Sequence, residues 1–253
     1  DVVAAKLLEG RIAVVCDGTP FVLTLPYVFV EYFQASEDYY NNFIFASINR
    51  LIRSLGFFLS TSVPAIYISL TTYHHEILQT PLLLSISAAR EGVPFPTVVE
   101  ALAMMVTFEV IREAGARLPS TIGQAVSIVG ALVLGEAAVT ARFVSAPMII
   151  IVALAGITSF LTPKLLSPII VTKFIFVILA SFLGLYGYTF GVIGLFIHLL
   201  SIRSFGVPYM MKVGSLKDGD IKDTTLRAPL WLMYYRPKLI AGNDYVRKED
   251  VKS

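Results

Sequence analysis

PFPTVVEALAMMVTFEVIREAGARLPSTIGQAVSIVGALVLGEAAVTARFVSAPMIIIVALAGITSF, residues 94–160, joins a charged helix to membrane-grade sequence without a linker. Glu100, Glu109, Arg112, Glu113 and Arg117 lead into two long apolar runs whose only charges are Glu136 and Arg142. A carboxylate in or beside bilayer-spanning sequence is costly and usually faces a bundle interior or a water-filled cavity. The stretch points to a conduit rather than a soluble enzyme.

Composition agrees along the 253-residue chain. Hydrophobic residues make up 56% and charged residues 15%, with a mean hydropathy of +0.74. Soluble domains carry about 25% charged residues, so this is integral membrane composition with the lipid bilayer as its solvent. A net charge of +2, scattered along the chain, gives no footprint for nucleic acid. The lone Cys16 excludes an intrachain disulfide and a cysteine-rich metal site. The chain begins at Asp1, and its first strong signal, GRIAVVCDGTPFVLTLP, reads as the middle of a domain. It is therefore expected to belong to a longer protein.

Working outward, residues 1–41 read as the end of a mixed α/β soluble domain and the approach to a membrane. Arg11–Cys16 and Pro20–Leu25 are short apolar runs around Asp17-Gly18, a strong hairpin signal. Asn42–Arg53 reads as an interfacial helix feeding the first span, Leu55–Tyr73, in which Pro64 predicts a kink. The run Ile77–Ala89 is too short to cross and reads as interfacial or re-entrant. A helix is expected from Thr97 to about Ala114, with further spans over Thr121–Ala141 and Pro147–Thr162.

Residues 169–202 carry only Lys173 and His198 as potential charges. One helix there would run about 51 Å, so the alternatives are a hairpin broken at glycine or a long tilted helix. Residues 204–253 form a polar tail with nine Lys/Arg against six Asp/Glu from Lys212 onward. That basic excess favours the cytoplasmic side. Arg50 and Arg53 favour the same side for the start of the membrane domain, 42–203, which asks for an even number of crossings. The expected fold is an α-helical membrane bundle of four to six spans.

At 100° per residue, Glu100, Met104, Thr107 and Ile111 share one face of the Thr97–Ala114 helix. Glu109 and Glu113 lie opposite, where Arg112 and Arg117 can pair with them at helical spacing. Glu100 has no cation within a turn, so it is the candidate functional carboxylate; its place in the first turn is also where a helix dipole favours an acid. On the next span Ser120, Gln124, Ser127, Ala131 and Ala138 form a narrow stripe, with Glu136 turned away, to pair with Arg142 or an adjacent subunit. Such a stripe either packs helices closely or lines a hydrated pore. Glu100, Thr107, Gln124 and Ser127 are the candidate pore-lining positions.

Catalytic motifs are absent. His74-His75-Glu76 lacks the i,i+4 histidines of a zinc helix, and no phosphate-binding loop or activated nucleophile is visible. The sequence calls for no cofactor and no metal, and does not read as an enzyme.

Several ordered blocks carry a resemblance. EGRIAVVCDGTPFVLTLPYVFVEYFQASEDYY (Glu9–Tyr40), the PFP, EA, FE and REAGARLP elements of Pro94–Pro119, GQAVSIVGALVLGEAAV (Gly123–Val139) and SIRSFGVPYM (Ser201–Met210) resemble the GerA family of spore germination A-subunits. The resemblance implies a subunit of an oligomeric, pentameric channel in the spore inner membrane. It would act with other germination membrane proteins and release monovalent cations. The family includes nutrient germinant receptor A-subunits and the stage V sporulation protein SpoVAF. MMKVGSLKDGDIKD (Met210–Asp223), where many receptor subunits have a Pro-rich apolar segment, leans toward the latter. A non-conducting scaffold for partner germination proteins, or a carrier, would use the same residues differently.

Overall fold

The computed structural model describes residues 2–118, 130, 133–211 and 226–229. These are predominantly helical. The helices are α1 (Val2–Leu8), α2 (Phe43–Thr72), α3 (Thr80–Arg90), α4 (Thr97–Arg117), α5 (helical over 133–140), α6 (Ala146–Ser159), α7 (Leu166–Leu183) and α8 (Leu185–Ser201). Two small antiparallel sheets pair β1 (Ile12–Val15) with β2 (Val22–Leu25), and β3 (Arg203–Ser204) with β4 (Val207–Pro208). The chain divides into two compact units, Asp1–Leu55 with Gly194–Ser253, and Gly56–Ile193.

In the first unit the Asp-Gly signal forms the expected hairpin. Gly18 takes φ 81° and donates its N–H to Asp17 Oδ1, while Ile12 faces Leu25 and Val15 faces Val22 across the ladder. Lys6 of α1 reaches Thr24 on β2 at 3.2 Å. Of the expected α/β domain, the described residues hold this hairpin and one short helix. β3 and β4 turn through Phe205 and Gly206, both at positive φ. Phe29 N–H then donates to Tyr209 O at 3.0 Å, and Phe29, Tyr32 and Tyr209 cluster their rings.

α2 is one continuous helix of 30 residues, about 45 Å long. The expected interfacial helix and first span are therefore a single element, with Pro64 buried inside it. Its hydroxyls bond back to their own helix: Thr61 to Phe57 O, Ser69 to Ala65 O and Thr71 to Tyr67 O. This back-bonding lets polar residues sit buried in an apolar helix without outside partners.

The second unit packs through glycine. A Cβ at Gly156 of α6 would stand 2.3 Å from the Phe108 ring of α4, and one at Gly56 would stand 2.6 Å from Leu161. α3 covers the short Ile77–Ala89 run and buries none of its residues. α4 extends three residues beyond the expected Ala114. Only the last part of the Thr121–Ala141 span is described, as α5. The 169–202 run is broken at Gly184, whose φ of 60° and ψ of −139° end α7 and start α8. The first turns of α8 press on α7, with Gly187 against Leu179 O, Gly191 against Phe176 and Leu179, and Tyr188 edge-on to Phe176.

Among the described residues, two helical stretches can cross a membrane by length and composition, Phe43–Thr72 and Pro163–Leu183; α6 and α8 are apolar but shorter. Gly187→Ala should be costly because the new methyl would sit 2.0 Å from a backbone oxygen. We expect a loss of about 1–3 kcal/mol, seen as a lowered Tm in detergent. Gly194→Ala, where a Cβ meets nothing within 4 Å, should be neutral or stabilising by up to about 1 kcal/mol. Equal behaviour of the two variants would contradict the packing described.

Candidate functional site

α4 carries most of the chain's membrane-proximal charge, and the fold divides it into three contacts. Glu100, 1% exposed, accepts hydrogen bonds from both the backbone N–H and the hydroxyl of Ser145. Ser145 is the residue preceding α6, so the carboxylate of one helix holds the start of another. Arg90, from the end of α3, stands 3.9 Å from the other carboxylate oxygen. Neither partner lies within a turn of Glu100 in sequence, and both come from other elements.

One helical face further on, Glu109 is shared by Arg112 and Lys173. Lys173 belongs to α7, is 2% exposed, and reaches Glu109 at 2.8 Å. An ammonium buried in an apolar helix requires a counter-charge, and α4 provides it. Glu113 and Arg117 form the expected i,i+4 pair at 2.7 Å and are well exposed, a contact worth about 0.3–0.5 kcal/mol.

Among the candidate pore positions, Glu100 is therefore engaged within the protomer. Thr107 is half-buried and donates its hydroxyl to Ala103 O of its own helix at 2.8 Å. Gln124 and Ser127 lie outside the described residues. Glu136 is exposed and makes no ion pair with Arg142, whose guanidinium lies over Gly92 instead. His74 packs edge-on to Tyr186 beside Gly184.

The first unit holds two ionic hubs. Glu31 accepts Lys6 at 2.8 Å and also pairs with Arg11. Burial first, and then the Glu31 charge, push the Tyr27 phenol well above its usual range. Asp38, 1% exposed, is gripped by both terminal nitrogens of Arg53 at 2.7 and 2.8 Å and by Arg50 at 3.2 Å. Arg227 donates to the carbonyls of Asp38, Tyr39 and Asn41, and its N–H bonds Ser47 at 3.0 Å. Burial alone would raise the Asp38 carboxyl, but hydrogen bonds from Arg53, the Ala35 backbone and Arg50 outweigh it and hold it below the usual range. Arg50 and Arg53 thus have a structural partner apart from any topological bias.

The sequence reading missed Lys173, Ser145, Arg90 and the Asp38 hub. Lys173 left a signal, since a lone cation in an apolar run asks for an acid elsewhere. Ser145 and Arg90 left none, because their roles come from helix packing.

With this geometry in view, the family model of the Bacillus/Clostridium GerA spore germination protein matches residues 1–239. The chain belongs to that family. It is 51% identical over 250 residues to Spore germination protein KA of Bacillus subtilis (strain 168), covering 98% of this chain and 46% of that protein. It is 47% identical over 257 residues to the Uncharacterized membrane protein YfkQ of the same strain, covering 100% of this chain and 50% of the relative. Spore germination protein GerLA of Bacillus cereus is 39% identical over 246 residues, covering 96% and 50%. The chain spans about half the length of the curated relatives it matches. No solved structure matches it. Two apolar helices of crossing length and a relative named as a membrane protein support membrane association of this GerA-family chain.

Two outcomes are expected. Asp38→Asn should cost about 3–5 kcal/mol at pH 7, because Arg50 and Arg53 lose a buried counter-charge. The folded carboxyl titrates below its unfolded value of about 3.9, so its contribution is present above about pH 4 and is lost as pH falls through the folded pKa. The gap in Tm between wild type and variant should therefore shrink in acid. In α7, Lys173→Met alone should destabilise more than Lys173→Met with Glu109→Gln, since the single change strands Glu109 with only Arg112. A double-mutant cycle of thermal unfolding checks this.

Proposed function

We propose that the chain forms the membrane-embedded part of a homo-oligomeric, pentameric ion channel that releases monovalent cations during germination. The observation that carries this reading is ionic: Glu100 and Glu109 are held between helices of membrane-grade sequence, as acids near an ion path are. Family membership supports a role in germination, in the spore inner membrane and alongside other germination membrane proteins. Identity to protein KA favours a receptor A-subunit, reversing the leaning that the tail alone gives toward the stage V relative. The spans of the four-to-six-span bundle include α2, the 121–141 segment, α6, α7 and α8. No catalytic step is part of the reading.

Within this proposal the polar path runs along α4 and the segment after it. Thr107, Gln124 and Ser127 are the hydrated positions, and Glu100 contributes by holding α6 to α4. Gln124→Ala and Glu100→Ala should each lower cation release several-fold in spores that assemble the protein normally. Wild-type flux in both would overturn the assignment, and saturable flux with a substrate optimum would point to a carrier.

The internally satisfied Thr107 hydroxyl favours one other reading, a scaffold in which this face packs against partner helices. Cysteines placed along residues 120–131 separate the two. A pore gives labelling by water-soluble thiol reagents with helical period, whereas a packed scaffold face stays protected.

A further inference from the structure

Glu136 and Arg142 are among the charges of the Gly56–Ile193 unit that have no counter-charge among the described residues. Glu136 is exposed on α5, beside a groove of about 480 Å³ that Val133, Ala137, Thr140 and Ala141 complete. Gly135, its neighbour, faces Ile149 of α6, so the next position is turned outward by about 100°. Arg142 lies in the turn after α5, exposed and at a φ of 56°. Its guanidinium lies over Gly92 and does not pair with Glu136. An exposed carboxylate in apolar, membrane-grade sequence is costly and calls for a neutralising group, which none of the described residues supplies.

We propose that Glu136 pairs with Arg142 of the partner subunit, a second copy of this chain, so that residues 133–142 form a contact between neighbours. The inference rests on the oligomeric reading above and names its contact. A closed ring is built from heterologous contacts, in which two different patches of one protomer meet their complements on the next. Glu136 and Arg142 are such patches: opposite in charge, both exposed, and not paired with each other. Neighbours in a ring whose axis lies along the membrane normal pair groups at similar depth. Glu136 lies four residues, about 6 Å, before the end of α5 and Arg142 follows in the turn, a difference that extended glutamate and arginine side chains bridge together. The groove beside Glu136 is walled by small residues, Ala137 and Ala141, which leave room for the apolar stem of an arginine.

The test uses the full-length protein in membranes. Glu136→Arg and Arg142→Glu should each weaken self-association at least about tenfold, as breaking a close charge pair does. The double exchange should restore it. Assembly is read by in-membrane chemical crosslinking, with helicity followed by circular dichroism. Intact assembly in both single variants, or loss that the double exchange does not repair, overturns the pairing and leaves the oligomeric reading standing. A wild-type chain that crosslinks only as a monomer overturns the oligomeric reading as well. Should the charge variants fail to fold, co-expressed chains carrying Glu136→Cys and Arg142→Cys, each with Cys16→Ser, are treated with a bifunctional thiol crosslinker as long as the two side chains together, since a direct disulfide needs closer backbones. A crosslinked dimer between the two is expected, and its absence overturns the proposal.

Discussion

The contact on which the helical unit depends most is the one between Lys173 and Glu109. α7 is the most apolar long helix of the chain, and it carries an ammonium that is almost fully buried. Such a group cannot remain charged in hydrocarbon without an anion at contact distance. Glu109 meets it at 2.8 Å and is itself steadied by Arg112 on the same helix. The pair therefore fixes where α4 lies along α7, something apolar packing alone would leave free to slide. Glu100 and Ser145 do the same for α4 and the start of α6. Two acids on one helix thus set the positions of two others.

Glycine supplies the complementary constraint. Ion pairs fix register, but helices come close only where a side chain is missing. Gly156 admits the Phe108 ring, Gly56 admits Leu161, and Gly187 lets α8 lie against the backbone of α7. Gly184 has another part: its backbone takes a conformation that side-chain-bearing residues avoid, and the apolar run breaks there. In the other unit, Asp38 concentrates the same electrostatic logic. One buried carboxylate holds Arg50 and Arg53, and Arg227 caps the surrounding carbonyls.

Much of this was legible in the residues. The Asp17-Gly18 hairpin, the α4 helix and the Glu113–Arg117 pair follow from local chemistry and period, whereas the glycine break in 169–202 was one of two alternatives that the residues left open. The continuity of α2 was not legible, because two arginines resemble a boundary when their partners are unknown. Nor was the fate of Glu100, which has no cation within a helical turn and acquires Arg90 and Ser145 only when α3 and α6 pack beside it. Lys173 stood between these cases: its need for an acid could be read, but the identity of that acid could not.

By itself, then, the sequence determined a helical, membrane-associated chain of the GerA family, with its charges gathered on one helix and its glycines in the apolar runs. Period and composition suffice for that, since both act over a few turns of chain. Tertiary structure alone decided which distant charges meet. Ion pairs between residues tens of positions apart depend on the depth and rotation of whole helices, and those are set by packing across the bundle. The same packing leaves Glu136 and Arg142 exposed and unpaired with each other, a result that their spacing of six residues does not reveal.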